Sequence, residues 1–359
     1  MACDVAVVGG GIAGLSAAAR LAGACRVCLF ERDAVIGAHA SGRNAAIYRP
    51  LEEDEVSAAL ARRSQELLAE TSEQTLLSAV GLTLVSGRAG DVERQRRRAA
   101  SQGVPYRVLE GEALAAVHPE LAGGEIQAGL LLTGGGVLDI HAILRGLEQQ
   151  ARAAGARVQT RTGVRRVLHG RGHVTGLELD DGTTVAASHV VIAAGAWSAG
   201  FSAGLGLNLP LQPYRRHLVQ LSPEAGASLP GPVTWRLDDE VYVRREGTGL
   251  LASPCDEVPA LPGEVAAESH ALEHLARKLT RLAPGLSGAG AQTIWACLRT
   301  FAPDRQLVVG PDPRLAGLHW LTGLGGKGMS VAPAVGELLA RALLDMDDLD
   351  RSLHVARLI

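Results

Sequence analysis

Aromatic side chains are scarce in this sequence: four Trp, four Tyr and three Phe in 359 residues. Each aromatic beside a candidate site therefore carries extra weight. Cysteine is scarce as well. Cys3, Cys25, Cys28, Cys255 and Cys297 form an odd, scattered set, which excludes a disulfide scaffold and points to reduced thiols in the cytoplasm. Cys25 and Cys28 make a C-x-x-C, but no second ligand pair accompanies them, so no metal site is expected. Excess charge is missing too. The formal net charge of −3 gives no electrostatic reason to expect nucleic acid or an acidic membrane as partner. No apolar run reaches the length of a membrane span. The opening "MACDVAVVGGGIAGLSAAARLAG" imitates a signal peptide, yet it has no basic n-region and Asp4 precedes its apolar run. A cytoplasmic protein is expected.

What is present is glycine and apolar content: 44 Gly and 47% hydrophobic residues. The length leaves room for about two domains and a core that needs no disulfide staples. Residues 4–8, "DVAVV", read as a buried strand, followed by "GGGIAG", a helix through "LSAAARLAG", and a second buried strand in "RVCLFE". This is one βαβ unit. Residues 52–78 read as polar and helical. Residues 81–134 hold short strands and the helix "DVERQRRRAASQG", in which Arg94, Arg96, Arg97 and Arg98 make a solvated face. Asp139 can cap a helix from Ile140 to about Ala154, and Gly155 can end it. The strand "RVQT", a β-meander over 163–185 and the buried strand "HVVIAAG" follow. Residues 206–292 mix strands with one helix near "ESHALEHLARKLTRLAP", and "LHWLTGLGGKGMSVAPAVGELLARALL" returns to strand, glycine-rich loop and helix.

Gly9, Gly11 and Gly14 form G-x-G-x-x-G, with Gly10 as a fourth glycine. The pattern gains meaning because it follows a predicted strand and opens a helix. The first glycine permits the tight turn, the second lets backbone approach a pyrophosphate, and the third allows close helix–strand packing. Glu31 ends the second strand, where a carboxylate accepts hydrogen bonds from ribose hydroxyls and repels a 2′-phosphate. An ADP-containing dinucleotide is implied. FAD is favoured over NAD because "ERDAVIGAHASGRNAA" follows directly, supplying Ser41, Gly42, Arg43 and Asn44 where a long cofactor continues. "HVVIAAGAWS" (189–198) and the loop "GLGGKG" (323–328) come later in the chain.

This constellation resembles the D-amino-acid oxidase superfamily of flavoproteins, in the branch of glycine oxidase, monomeric sarcosine oxidase and D-arginine dehydrogenase. The resemblance is strongest over 5–48, 189–217 and 293–343 and weak over 52–130. It implies an α/β fold with a Rossmann-like FAD-binding domain (1–80, 136–205 and 298–359) and a β-rich α+β substrate domain (81–135 and 206–297). The residues implied to contact FAD begin with Gly9, Gly11, Ile12, Ala13, Gly14, Glu31 and Arg32. Ser41, Gly42, Arg43, Asn44, Val164, Ala194, Gly195 and Trp197 follow, with the loop Gly325, Gly326, Lys327, Gly328 and Met329. The last helix, beginning near Ser330, can point its positive end at the flavin. Aromatic-ring monooxygenases share the N-terminal fingerprint but usually carry an Asp-Gly pair where this chain reads "AAGAWS". That argues for amine or hydroxy-acid oxidation.

Read as a strand, "TIWACLRTF" sends Trp295, Cys297 and Arg299 to one face. By itself Arg299 is either a strand-end cation in an ion pair or an anchor for an anionic substrate. The stretch "CLRTFAPDRQLVVG" resembles the family's carboxylate-binding strand, which makes Arg299 the implied anchor. A planar guanidinium meets a carboxylate through two parallel charge-assisted bonds. By the same resemblance Tyr242 helps hold the substrate, Arg216 is a second cation, and Tyr48 and Arg49 line the pocket. D-arginine dehydrogenase has a histidine where Ile47 stands, and no counterpart of its acidic selector is found, so strict D-arginine specificity is not expected.

The chemistry implied is hydride transfer from the substrate Cα–H to flavin N5, giving an imino acid that water hydrolyses, with no obligatory side-chain base. The substrate is then a small carboxylate-bearing amine. A 2-hydroxy-acid dehydrogenase and a non-catalytic flavin-binding protein are the alternatives. Sarcosine oxidases use a lysine for oxygen activation where "GLLASP" offers leucine, so oxygen or another acceptor remains open. Sarcosine oxidases also attach flavin through a cysteine placed like Cys297, whereas glycine oxidases, which carry the arginine, hold it without a covalent bond. Non-covalent FAD is expected.

Overall fold

The computed structural model describes residues 2–71, 75–88, 90–222, 231–344, 346 and 349–359. Val5–Val8 and Val27–Phe30 are buried along their whole length, as strands of a parallel sheet covered on both faces must be. The six-stranded sheet runs Val308–Pro311, Leu318–Thr322, His189–Ile192, Val5–Val8, Val27–Phe30, Arg157–Gln159. Its neighbours are parallel except for the first pair. From Val5–Val8 the next strand in sequence lies on one side and His189–Ile192 on the other. The strand order reverses there, which opens a crevice at the carboxyl ends of the strands. The mixed α/β architecture agrees with the predicted class.

Residues 163–185 form the expected meander, the antiparallel sheet of Val164–Gly170, His173–Leu179 and Thr184–Ala186. A nine-stranded sheet draws on strands between Leu82–Ser86 and Ala291–Phe301. In it Ala291–Phe301 pairs antiparallel with Gln212–Leu221, setting Arg216 opposite Cys297 and Leu218 opposite Trp295. Directly opposed residues share a face, and Cys297, Leu218 and Trp295 cluster with Tyr242, Cys255 and Ala45. Asp139 caps Ile140–Ala153 through the Ala142 N–H at 2.8 Å. On the helix Asp91–Ser101, Arg94 pairs with Asp91, while Arg96 and Arg97 pair with Glu93. The last helix is Gly328–Leu343, starting slightly before the expected Ser330. Among the described residues no helix is long and apolar enough to cross a membrane.

The first helix, Ile12–Leu21, and the last both begin at the crevice and cross at Gly336. A Cβ at Gly336 would lie 2.5 Å from the Ser16 carbonyl carbon, so glycine sets the distance between the two helices. Gly336→Val is expected to lose ~1–3 kcal/mol through overpacking. Gly146, inside Ile140–Ala153 with nothing within 4 Å of its Cβ position, provides the contrast. Gly146→Ala should gain ~0.5–1 kcal/mol from helix propensity alone. Urea unfolding midpoints of the two variants check both signs.

Candidate active site

A cleft of about 370 Å³ runs along the carboxyl ends of the parallel strands. Its floor is the turn after Val5–Val8. Gly9 has φ +108°, and a Cβ there would strike the Ala193 carbonyl oxygen at 2.6 Å; a Cβ at Gly14 would reach Gly9 O at 1.9 Å. Both positions demand glycine, the first for its backbone angle and the second for helix–strand contact. Glu31 accepts from the Gly10 N–H (2.7 Å) and the Asp33 N–H (2.9 Å), which fixes its carboxylate at the cleft wall. Ser41 Oγ accepts from the Ile12 N–H at 2.9 Å and so caps the first helix from the following segment. Asn44 accepts from the Ala46 N–H at 2.7 Å and donates to the Ser41 carbonyl at 2.8 Å, holding that segment in a tight turn.

Val164, Ala194, Gly195 and Trp197 line the same end of the cleft. The Arg32 guanidinium lies 3.8 Å from the centroid of the Trp197 ring, and the His39 ring lies 4.7 Å from it. The loop after Leu318–Thr322 closes the other wall. A Cβ at Gly325 would strike Phe301 at 2.2 Å, and one at Gly326 would sit 3.0 Å from Arg299 Nη1. The Gly325 N–H donates to the Thr300 carbonyl at 3.0 Å, tying this loop to Ala291–Phe301. Gly328 and Met329 also line the cleft.

At its far end the cleft is bounded by Ile47, Arg49, Glu52, Trp235, Tyr242, Cys297 and Arg299. Arg299 makes no hydrogen bond or ion pair among the described residues. The other lining cations do: Arg32 with Asp33, Arg43 with Glu264 and Arg49 with Glu52. Tyr242 is buried and its hydroxyl has no hydrogen-bond partner among the described residues. Burial pushes its pKa up, which keeps it a donor at neutral pH. Trp235, opposite Tyr242 in the strand pairing, packs with a ring separation of 5.1 Å. Cys297 is buried, and burial likewise pushes its thiol pKa up.

Five residues expected at the site do not line the cleft. Tyr48 turns the other way, donating toward Ala61 O (3.3 Å) and Gln65 Oε1 (3.2 Å), because alternation in Ile47–Tyr48 leaves Ile47 to face the cleft. Arg216 is buried against Glu257 at 2.7 Å, a partner supplied by a loop far along the chain. Lys327 reaches away to Ser57 (2.9 Å) and Asp54 (3.2 Å). Gly14 and Gly42 sit behind the wall, where a Cβ on Gly42 would lie 2.5 Å from Gly37 O. Sequence reasoning missed His39, Glu52, Trp235 and Thr300, which line the cleft. Trp235 was findable: counting back across the turn from Tyr242 brings an uncommon aromatic opposite it.

These features fit an extended dinucleotide. Glycines line the floor and one wall, a carboxylate ends the second strand, and the lining Tyr242 and Thr300 present buried hydroxyls without partners among the described residues. Thr300 tests the fit directly. Thr300→Val removes an unsatisfied buried hydroxyl and should stabilise the ligand-free protein by ~1 kcal/mol, while weakening FAD binding. Melting curves with and without added FAD check the crossover.

Residues 4–342 match the FAD dependent oxidoreductase family. A D-amino acid dehydrogenase of Bradyrhizobium diazoefficiens is 30% identical over 244 residues, 67% of this chain and 57% of that protein. The chain therefore spans little more than half the length of that relative. A 4-methylaminobutanoate oxidase (formaldehyde-forming) of Paenarthrobacter nicotinovorans is 25% identical over 93% of this chain and 43% of that protein. Glycine oxidase from Geobacillus kaustophilus superposes with a TM-score of 0.87 at 24% identity, covering 100% of this chain and 99% of the other. At that identity the superposition establishes the fold. The family match extends over nearly the whole sequence, and the chain belongs to the FAD dependent oxidoreductase family.

Proposed function

We propose that this protein is an FAD-dependent amino-acid oxidase or dehydrogenase. It converts the C–N bond of an α-amino carboxylate (glycine-type, N-substituted glycine or D-amino acid) to an imino acid, which water hydrolyses. The observation that carries this reading is the Arg299 guanidinium, the lining cation with no carboxylate partner among the described residues. When bound, FAD supplies the two-electron oxidant. Arg299 holds the substrate carboxylate through its planar fork, and the Tyr242 hydroxyl donates to the same group. Trp235 and Ile47 exclude water from the reacting end. Glu31, with Arg32 and Trp197 beyond it, holds the nucleotide end, and Gly325, Gly326, Gly328 and Met329 bring backbone to the flavin. We assign the cofactor-binding role to the parallel-sheet part of the chain and the substrate role to the nine-stranded sheet.

No lining side chain at the Arg299 end is an unpaired base among the described residues, in keeping with a substrate that arrives as the neutral amine. Electrons leave to oxygen or to another acceptor. Cys3, Cys25, Cys255 and Cys297 are free thiols, which supports a cytoplasmic protein. Burial pushes the pKa of Cys297 up and so disfavours the thiolate that attachment needs, which supports FAD held without a covalent bond.

Arg299→Ala should keep its flavin and lose ~2–4 kcal/mol in kcat/KM, the order lost when a charged partner is left unpaired. Anaerobic bleaching of the bound flavin by amino acids, with 2-hydroxy acids in parallel, identifies the substrate class; unchanged kinetics in Arg299→Ala would remove the anchor assignment. Acid precipitation checks the attachment. A yellow supernatant is expected, and a yellow pellet that loses its colour in Cys297→Ser would show a thioether instead.

A further inference from the structure

Arg49 and Glu52 both line the cleft at the Arg299 end and form an ion pair of 2.8 Å. Glu52 is 1% exposed, and Lys327 Nζ stands 4.0 Å from its carboxylate. Its main chain is fixed as well: its N–H donates to Gln102 Oε1 at 3.3 Å and its carbonyl accepts from Gln102 Nε2 at 2.9 Å. Arg49 lies over the Trp235 ring, 5.2 Å from its centroid, and Trp235 packs on Tyr242. Two charged residues thus stand beside the proposed substrate anchor, and each is already committed to the other.

We propose that the Arg49–Glu52 pair is a charge filter, restricting the substrate to monocarboxylic amines whose remaining substituent is uncharged and lies against Trp235 and Ile47. The inference rests on Arg299 being the carboxylate anchor. A second carboxylate on the substrate has Arg49 as its natural partner. Recruiting it takes the guanidinium from Glu52, a buried carboxylate then left with Lys327 at 4.0 Å, and breaking one side of such a pair is far costlier than leaving it intact. A substrate ammonium fares no better. Arg49 and Lys327 already attend the Glu52 carboxylate, and the approach passes the positive charges of Arg49 and Arg299. An uncharged substituent disturbs none of this, and it finds the indole and the Ile47 side chain. The pair acts by refusing charge of either sign, a selection by repulsion and desolvation.

Three straight-chain probes of matched length and none oxidisable at an α-amine separate the cases: pentanoate, glutarate and 5-aminopentanoate. Each is titrated into the FAD-loaded protein, with binding read from the flavin absorbance change and, independently, by calorimetry. Pentanoate is expected to bind at least about tenfold tighter than either charged probe, a difference of roughly 1.4 kcal/mol. Glutarate or 5-aminopentanoate binding as tightly as pentanoate overturns the filter. Glu52→Gln frees Arg49 and should raise glutarate affinity relative to pentanoate; an unchanged ratio counts against the pair as the selecting element. Should that variant not fold, Arg49→Leu supplies the second comparison, and there the ratio must also move from the wild-type value. Arg299→Ala separates the two levels of the argument. Pentanoate binding that survives it undermines the anchor, whereas binding lost there with no preference among the probes in wild type undermines the filter alone.

Discussion

A guanidinium removed from bulk water is ordinarily matched by a carboxylate, since an unmatched charge in a low-dielectric setting is costly. Arg299 is held without one among the described residues, and much of the architecture around it serves to keep it there. Its backbone is clamped by the long antiparallel pairing of Ala291–Phe301 with Gln212–Leu221. Its head lies against the loop at Gly326, where a side chain would have intruded. Thr300 ties that loop to the strand through the Gly325 N–H. Burial opposes the charge of Arg299, but a guanidinium is not deprotonated in proteins. The group stays cationic, aimed into a cleft that has space for an anion.

The neighbouring charges give that arrangement its meaning. Glu257 is shared by Arg216 at 2.7 Å and Arg305 at 2.6 Å. Burial raises its pKa, but the two guanidinium groups lower it by more, so Glu257 stays ionised and occupied. Arg49 is matched by Glu52, and Lys327 by Asp54. Buried or half-buried pairs of this kind are weak evidence for stability. Here their consequence is electrostatic: each of these cations has a carboxylate partner, and Arg299 has none among the described residues. The proposed carboxylate anchor fits such a cleft, because a single fork sits at a fixed place.

The local parts of this design are legible in the sequence. The strand, glycine turn and helix at residues 5–21 follow from apolar runs and from glycines at the positions where a Cβ would collide. Arg299, Cys297 and Trp295 share a face by simple alternation. What the sequence hides is direction and partnership. Tyr48 and Arg49 are neighbours on an extended segment, so at most one of two adjacent side chains can face the cleft, and here it is Arg49. Arg216 does share the face of Cys297, yet whether it is free depends on Glu257 in a loop whose course no periodicity predicts. Lys327 lies in the right loop, but its side chain answers to Asp54 and Ser57 on a helix far earlier in the chain. Glu52 had no sequence signal at all, being one acid among several in "LEEDE".

Cys297 shows how closely anchor and cofactor attachment are linked. It stands on the same strand face as Arg299, within reach of the same fields. Were its thiol ionised, the thiolate would supply the negative charge that Arg299 lacks, and the anchor would be spent on the protein itself. Two effects compete over that proton. Arg299 and Arg216 favour the thiolate, while burial disfavours any charge there. Burial prevails, since the pKa of Cys297 lies above the ordinary thiol value. The neutral thiol leaves Arg299 available to the proposed substrate carboxylate, and the same protonation withholds the nucleophile that covalent flavin attachment requires. The proposed carboxylate binding and the proposed non-covalent cofactor binding would then both follow from one proton remaining on sulfur.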